Sequence, residues 1–306
     1  MASRRITRHW NNAYAAFTER ADAGFETNAY TVTRPPQFFH FTDADGLSEI
    51  LKTRTLWASL ASALNDRSEM EYARALIREL IDGRTITPHV LQLDQLATAL
   101  DDQLWRVYVI SFCARADTAP HWLHYGRSGS GAAIAFKTSE IERFPYRLYP
   151  VLYERERQVK WCKAIITTVD EALEASLTMI PGDSNRELLS NLALVLLANH
   201  ISFASARMKS PSFAAEEEWR LIAYVPKGPV GSVSTDPSGE TYFRTTASRI
   251  IPFKKLTLDP LPVVEIVLGY SSPLQFDLSG LRVLMDERLS NSEEVRVITS
   301  SVPVRP

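Results

Sequence analysis

The sharpest local signal is Glu216-Glu217-Glu218-Trp219-Arg220-Leu221-Ile222, an acidic cluster leading directly into an apolar, β-prone segment. In a strand, Glu216 and Glu218 would point to one face, because side chains alternate with period two. Two carboxylates on one face repel, so a substrate hydroxyl, a cation or Arg220 should offset them. The plainer account is a solvated acidic turn with Arg220 in a surface ion pair. A second candidate is His40 in Phe38-Phe39-His40-Phe41-Thr42. Flanked by Phe, it is either a packed histidine satisfied by backbone groups or a neutral imidazole bonding a ligand at the strand end.

A third is His121-Trp122-Leu123-His124-Tyr125-Gly126 followed by Arg127 to Gly131. On a helix His121 would neighbour both His124 and Tyr125. No nearby acid or third histidine completes a metal set, so no metal is expected. Trp122 reads as core and Tyr125 as a pocket wall. The Gly-Arg-Ser-Gly-Ser-Gly run leads into a strand rather than opening a helix, which rules out Walker and Rossmann loops, though Arg127 could still meet a phosphate. Asn65-Asp66 reads as a helix cap, Lys209 as a surface charge, and Cys113 as core rather than nucleophile.

The elements that must position these groups alternate irregularly. Strands are expected near 37–42, 56–59, 105–114, 132–137 and 146–153, and again at 218–225, 241–245, 249–253, 263–268 and 295–299. Asp43 caps a short helix to about Lys52. Further helices are read at 67–81, 88–103, 155–180, 185–208 and 274–289, with Pro181-Gly182 breaking the long pair. Residues 1–36 form an arm, with an amphipathic helix over 4–20 and an extended piece ending at Pro35-Pro36. Residues 37–306 read as one α+β domain with a central helical insertion, not a doubly wound sheet.

The 306 residues carry 34 Lys plus Arg against 36 Asp plus Glu, a net charge of −2 that gives no bulk basic field for nucleic acid. Cys113 and Cys162 make neither metal spacing nor a disulfide framework, so a reduced cytoplasmic setting is expected. The longest apolar stretch, 192–198, is far short of a membrane span, and no membrane partner is expected.

Taken in order, several pieces resemble a bacterial family of proteins of unknown function, the domain-of-unknown-function family 2971. They are Phe39-His40-Phe41-Thr42, Gly46-Leu47 to Ile50-Leu51, Leu56-Trp57-Ala58-Ser59, Asn65-Asp66 to Glu69, Ile110 to Cys113, Trp122 to Tyr125 with Gly131 to Phe136, Lys209, Glu216 to Leu221, and Glu265 to Gly269. The chain departs from the pattern at Arg67, where the family has Pro, and at Phe213, where it has Trp. A more distant resemblance is to ADP-ribosyltransferase-like folds: a strand ending His-x-Thr, a helix, a short strand ending in Ser, and a late strand carrying Glu.

That second resemblance implies mixed or antiparallel sheets and NAD as substrate. It implies Glu218 and Glu216 as catalytic residues, with Glu218 near the ribose and Glu216 serving the acceptor. His40 and Thr42 would hold the other ribose, and Tyr125 would stack on nicotinamide, with Ser59 and Ser111 as rivals for that middle place. Arg127 or Arg54 would meet the pyrophosphate. The acceptor would be water, a protein or a nucleic acid, and the N-terminal arm could support a homo-oligomer. Two alternatives stand beside this: a non-catalytic nucleotide- or partner-binding module, and a metal-dependent hydrolase or nuclease built on Glu216, Glu218 and Asp66.

Overall fold

A computed structural model describes residues 34–63, 67–83, 105–144, 148–179, 182–226, 239–246 and 249–302. The expected arm helix, the Asn65-Asp66 cap and the helix at 88–103 lie outside the described residues.

Ten strands among the described residues form one open, mostly antiparallel sheet. Strand β1 (Gln37–Thr42) is followed by helix α1 (Ala44–Thr53) and β2 (Thr55–Leu60). Asp43 caps α1 by accepting from the Gly46 N–H at 2.8 Å, and Leu47, Ile50 and Leu51 bury its inner face. Helix α2 (Arg67–Asp82), β3 (Trp105–Cys113), the short α3 (Ala119–His124), β4 (Ala132–Lys137) and β5 (Leu148–Pro150) come next. The long helices α4 (Arg155–Met179) and α5 (Asp183–Ser205) precede β6 (Glu218–Pro226). Strands β7 (Tyr242–Thr245), β8 (Ile250–Thr257) and β9 (Val263–Leu268), helix α6 (Ser279–Arg288) and β10 (Arg296–Thr299) complete the described order.

The topology has one feature that makes a cleft. Strand β6 pairs with β3 along all nine residues, from Trp105↔Pro226 to Cys113↔Glu218. The other edge of β3 is shared. Its middle pairs with β2 through Tyr108 and Val109, and its end pairs with β1 through Cys113. One wing, β1-β4-β9-β10, and another, β2-β8-β7, therefore leave the same edge of β3 at different heights. Ser111 sits at the fork between them.

Two large cores hold the elements. One packs α1 and α6 on the sheet, with Leu47, Leu51, Leu281 and Met285 against Phe38, Phe112, Phe136 and Leu256. The other is helical, joining α2, α4 and α5 through Leu76, Ile77, Ile166, Leu197 and Ile201. A smaller cluster of Phe39, Trp122, Ala133 and Val267 seats α3 on the opposite sheet face. Phe38 and Phe39 serve different cores because adjacent strand residues face opposite ways.

Some boundaries differ from the sequence expectation. Of the strand expected at 146–153, residues 146–147 lie outside the described residues and the rest is strand only over Leu148–Pro150, since Pro150 has no N–H to continue the ladder. The helix expected over 274–289 breaks into a turn at Pro273–Gln275 and α6, because Asp277 takes the Ser279 N–H at 2.9 Å and starts a new helix. The acidic cluster does not lie in one strand: a 3₁₀ turn, Pro211–Glu216, ends at Glu217 with φ of 43°, and β6 begins only at Glu218. Residues Arg186–Ser205 of α5 are also long and apolar enough to cross a membrane by composition, because Ser, Asn and His interrupt the run without charging it. Half of that stretch is buried inside the protein.

Candidate functional site

The fork in the sheet opens into a cleft of about 780 Å³. His40 and Thr42 line it from β1, Ser59 from β2, Ser111 from β3, Tyr125 and Arg127 from the turns after α3, and Glu216 and Glu218 from the entrance to β6. These eight sequence candidates thus reach one cavity, although they come from five separated segments.

Its floor is a buried row of alternating charge. Arg220 bonds Glu218 as a fork, Nε to Oε1 and Nη2 to Oε2, both at 2.8 Å. Lys209 Nζ donates to Glu216 Oε2 at 2.5 Å and lies 3.6 Å from Glu218 Oε2. Lys209 also sits 4.8 Å above the Phe213 ring, and Arg220 Nη1 donates to the Ala206 carbonyl at 3.1 Å. Lys209, Glu218 and Arg220 are each buried, at 3%, 5% and 3% exposed. Lys209 is therefore not a surface charge, Arg220 is not in a surface pair, and Glu216 and Glu218 are not solvated, although Glu217 between them stays partly exposed in a pair with Arg115. Burial alone would raise the Glu218 carboxyl, but the charge and hydrogen bonds of Arg220, with Lys209 and Ser111, outweigh it and leave its pKa lowered.

The left-handed Glu217 brings the two carboxylates together without a shared strand. His121 holds that turn from beneath. Its Nε2 lies 3.0 Å from the Glu216 carbonyl oxygen, which can only accept, so Nε2 carries the proton and Nδ1 accepts from the Thr118 hydroxyl at 2.8 Å. Burial lowers the His121 pKa, consistent with this neutral form. Tyr125 also hydrogen-bonds Glu216; burial and the Glu216 charge push its phenol up, so it stays a donor.

His40 is fixed by the fork itself. Its Nδ1 lies 3.0 Å from the Ser111 carbonyl oxygen, so Nδ1–H donates there. Burial lowers the His40 pKa; the Ser111 carbonyl opposes this, and the Arg244 charge adds to the lowering. The ring is neutral and Nε2 carries a lone pair to which no hydrogen bond runs among the described residues. Cys113 lines the cleft as well, yet burial followed by the charges of Glu218 and Glu216 pushes its thiol up, which removes it as a nucleophile.

The expected phosphate ligands fare differently. Arg127 is bonded at the exposed rim to Asp43 at 2.9 Å. Arg54 is outside the cleft lining and pairs with Asp259 at 2.9 Å. In the glycine-rich turn, the N–H groups of Gly129, Ser130 and Gly131 bond back to Gly126 and Arg127 carbonyls. Gly129, with φ of 83°, is pressed on the Tyr270 ring where any Cβ would collide. The glycines serve close packing, and those amides have no bond to offer a phosphate. The cation missed in the sequence is Arg244 on β7, whose Nη2 donates to the Ser59 hydroxyl at 3.0 Å. It stands on a four-residue strand, and no local pattern marks it. Trp57, quoted only as part of a resemblance, also lines the cleft. Among the described residues no group of three or more His, Cys, Asp or Glu could hold a metal ion, and Asp66 lies outside them.

Residues 121–221 match the model of a family described as protein of unknown function (DUF2971). That stretch carries His121, Tyr125, Lys209, Glu216, Glu218 and Arg220, while His40, Thr42, Ser59 and Ser111 precede it. No curated protein matches the chain, and no solved structure matches it.

Proposed function

We propose that the cleft binds NAD and breaks its nicotinamide–ribose bond, passing ADP-ribose to water or to a protein or nucleic-acid acceptor. The observation that carries this reading is the meeting in one cavity of a buried carboxylate kept in its charged form and a neutral imidazole whose unprotonated nitrogen can only accept. When nicotinamide leaves, the C–N bonding pair departs with it, the ring becomes neutral, and positive charge builds on the ribose. An ionised Glu218 stabilises that charge; a protonated one would not. His40 accepts from a ribose hydroxyl at Nε2 and adds no repulsion. Tyr125, 40% exposed, offers its ring to nicotinamide while its hydroxyl is anchored on Glu216. Glu216 orients the acceptor and takes its proton as the new bond to the ribose carbon forms. Thr42, Ser59 and Ser111 supply neutral hydrogen-bonding groups along the wall.

The test is nicotinamide release from NAD. Wild-type protein is expected to release it, and Glu218→Gln to lower the rate by about 10²–10³-fold, the usual loss when a charge-stabilising group is removed. Unchanged release in the variant would remove Glu218 from the reaction. One observation favours a second reading, a binding module without catalysis: both Glu218 oxygens are already bonded by Arg220. NAD retained on the protein, with no nicotinamide released even when cell lysate supplies acceptors, would select that reading.

A further inference from the structure

The cleft has a second end, lined from β2 and β7, that the proposed cleavage leaves largely unused. Arg244 reaches it from β7. Apart from the bond to Ser59, its Nε is buried without a hydrogen-bond partner, and no carboxylate pairs with it among the described residues. Asp43 is the carboxylate whose field acts on Arg244, and Asp43 is already bonded to Arg127. Beside Arg244, the Trp57 ring is 37% exposed and lines the cleft. It stacks on Phe253 with centroids 4.4 Å apart and planes at 23°. Tyr242 follows on the next strand, 5.7 Å from Phe253 at 30°. The registers Ser59↔Phe253 and Tyr242↔Phe253 put these side chains on one face of the sheet.

Each half of this arrangement asks for a different part of one ligand. A half-buried guanidinium whose Nε has lost water without gaining an anion is satisfied by a phosphate, which its planar fork matches. An aromatic ring braced from behind by a second ring is a platform for a heterocyclic base. Ser59 accepts from Arg244 and still has its own hydroxyl proton to donate.

We infer that Trp57, Ser59 and Arg244 form a subsite for a nucleoside phosphate, with the base on Trp57 and the phosphate on Arg244 and Ser59. The subsite stands whether or not a glycosidic bond is broken in the cleft. The same chemistry is presented by a free nucleotide and by one unit of a nucleic-acid strand.

Equilibrium dialysis of the full chain against AMP, adenosine, inorganic phosphate and a short oligoadenylate separates these. AMP is expected to bind more tightly than adenosine or phosphate. Arg244→Gln should weaken AMP by about tenfold or more, the worth of a charge-assisted hydrogen bond, and leave adenosine unchanged. Trp57→Ala should weaken AMP and adenosine alike. Ser59→Ala tests the phosphate half independently if Arg244→Gln does not fold, which thermal melting reads directly. Tighter binding of oligoadenylate than of AMP identifies a strand, and equal binding a free nucleotide; both uphold the subsite. AMP binding unchanged in Arg244→Gln and Ser59→Ala, or no binding of AMP or oligoadenylate, overturns it. Nicotinamide release in Glu218→Gln reads the cleavage separately, so the two ideas can fail independently.

Discussion

The two ends of the cleft solve the problem of buried charge in opposite ways. At the floor, Lys209, Glu216, Glu218 and Arg220 form a closed set in which each charge touches its opposite. At the far end, Arg244 has a hydroxyl for a partner, while His40, at the fork between the two ends, avoids charge altogether. A compensated row is settled without a ligand; an uncompensated cation is not. On the proposed reading, the difference separates the part of the cleft that would orient reacting groups from the part that would take up an anion.

The largest test of this contrast is Arg220→Met. It strands Glu218 in a buried site and should cost about 3–5 kcal/mol in denaturant unfolding, the usual penalty for removing one member of a buried pair. A loss below about 1 kcal/mol, typical of exposed pairs, would show that the floor is open to water.

A pH titration of stability comes next. His40 and His121 have lowered pKa values, and burial brings His200 down to about 4. As pH falls through about 6.5 the unfolded chain takes up protons that the folded chain refuses, and each such group removes up to about 1.4 kcal/mol per pH unit. Glu218, lowered in the folded state, contributes stability above its unfolded pKa, and that contribution is lost as pH falls through its folded value. Stability should therefore decline steadily from pH 7 towards pH 4. A flat profile down to pH 5 would mean that the histidines are charged in the fold.

Smaller still is Arg244→Met. Because no carboxylate pairs with this cation among the described residues, the change is expected to cost less than about 1 kcal/mol, or to stabilise. A loss as large as that of Arg220→Met would erase the distinction between the two ends. Least of all, Arg127→Ala removes an exposed pair with Asp43 and should shift stability by about 0–1 kcal/mol.

Much of the local structure was legible in the residues. Strands β1, β4 and β9 and helix α1 sit where apolar alternation, helical spacing and the Asp43 cap placed them. The identity of the cleft residues was legible as a set of chemical types. Their neighbours were not. Lys209 and Arg220 read as surface charges because burial depends on what β3, β5 and α5 lay over them. Glu216 read as a strand residue because nothing nearby announces the left-handed turn at Glu217.

The sequence by itself determined element types and the inventory of groups available for chemistry, since both depend on neighbours along the chain. The tertiary structure alone decided three things. It decided that β1 and β2 share one edge of β3, which makes the cleft. It decided that the Ser111 carbonyl sets the His40 tautomer, across a separation of 71 residues. It decided that Arg244 is left without an anion among the described residues. Each depends on pairings between segments distant in the chain, where solvent exclusion and long-range hydrogen bonding act and local pattern carries no information.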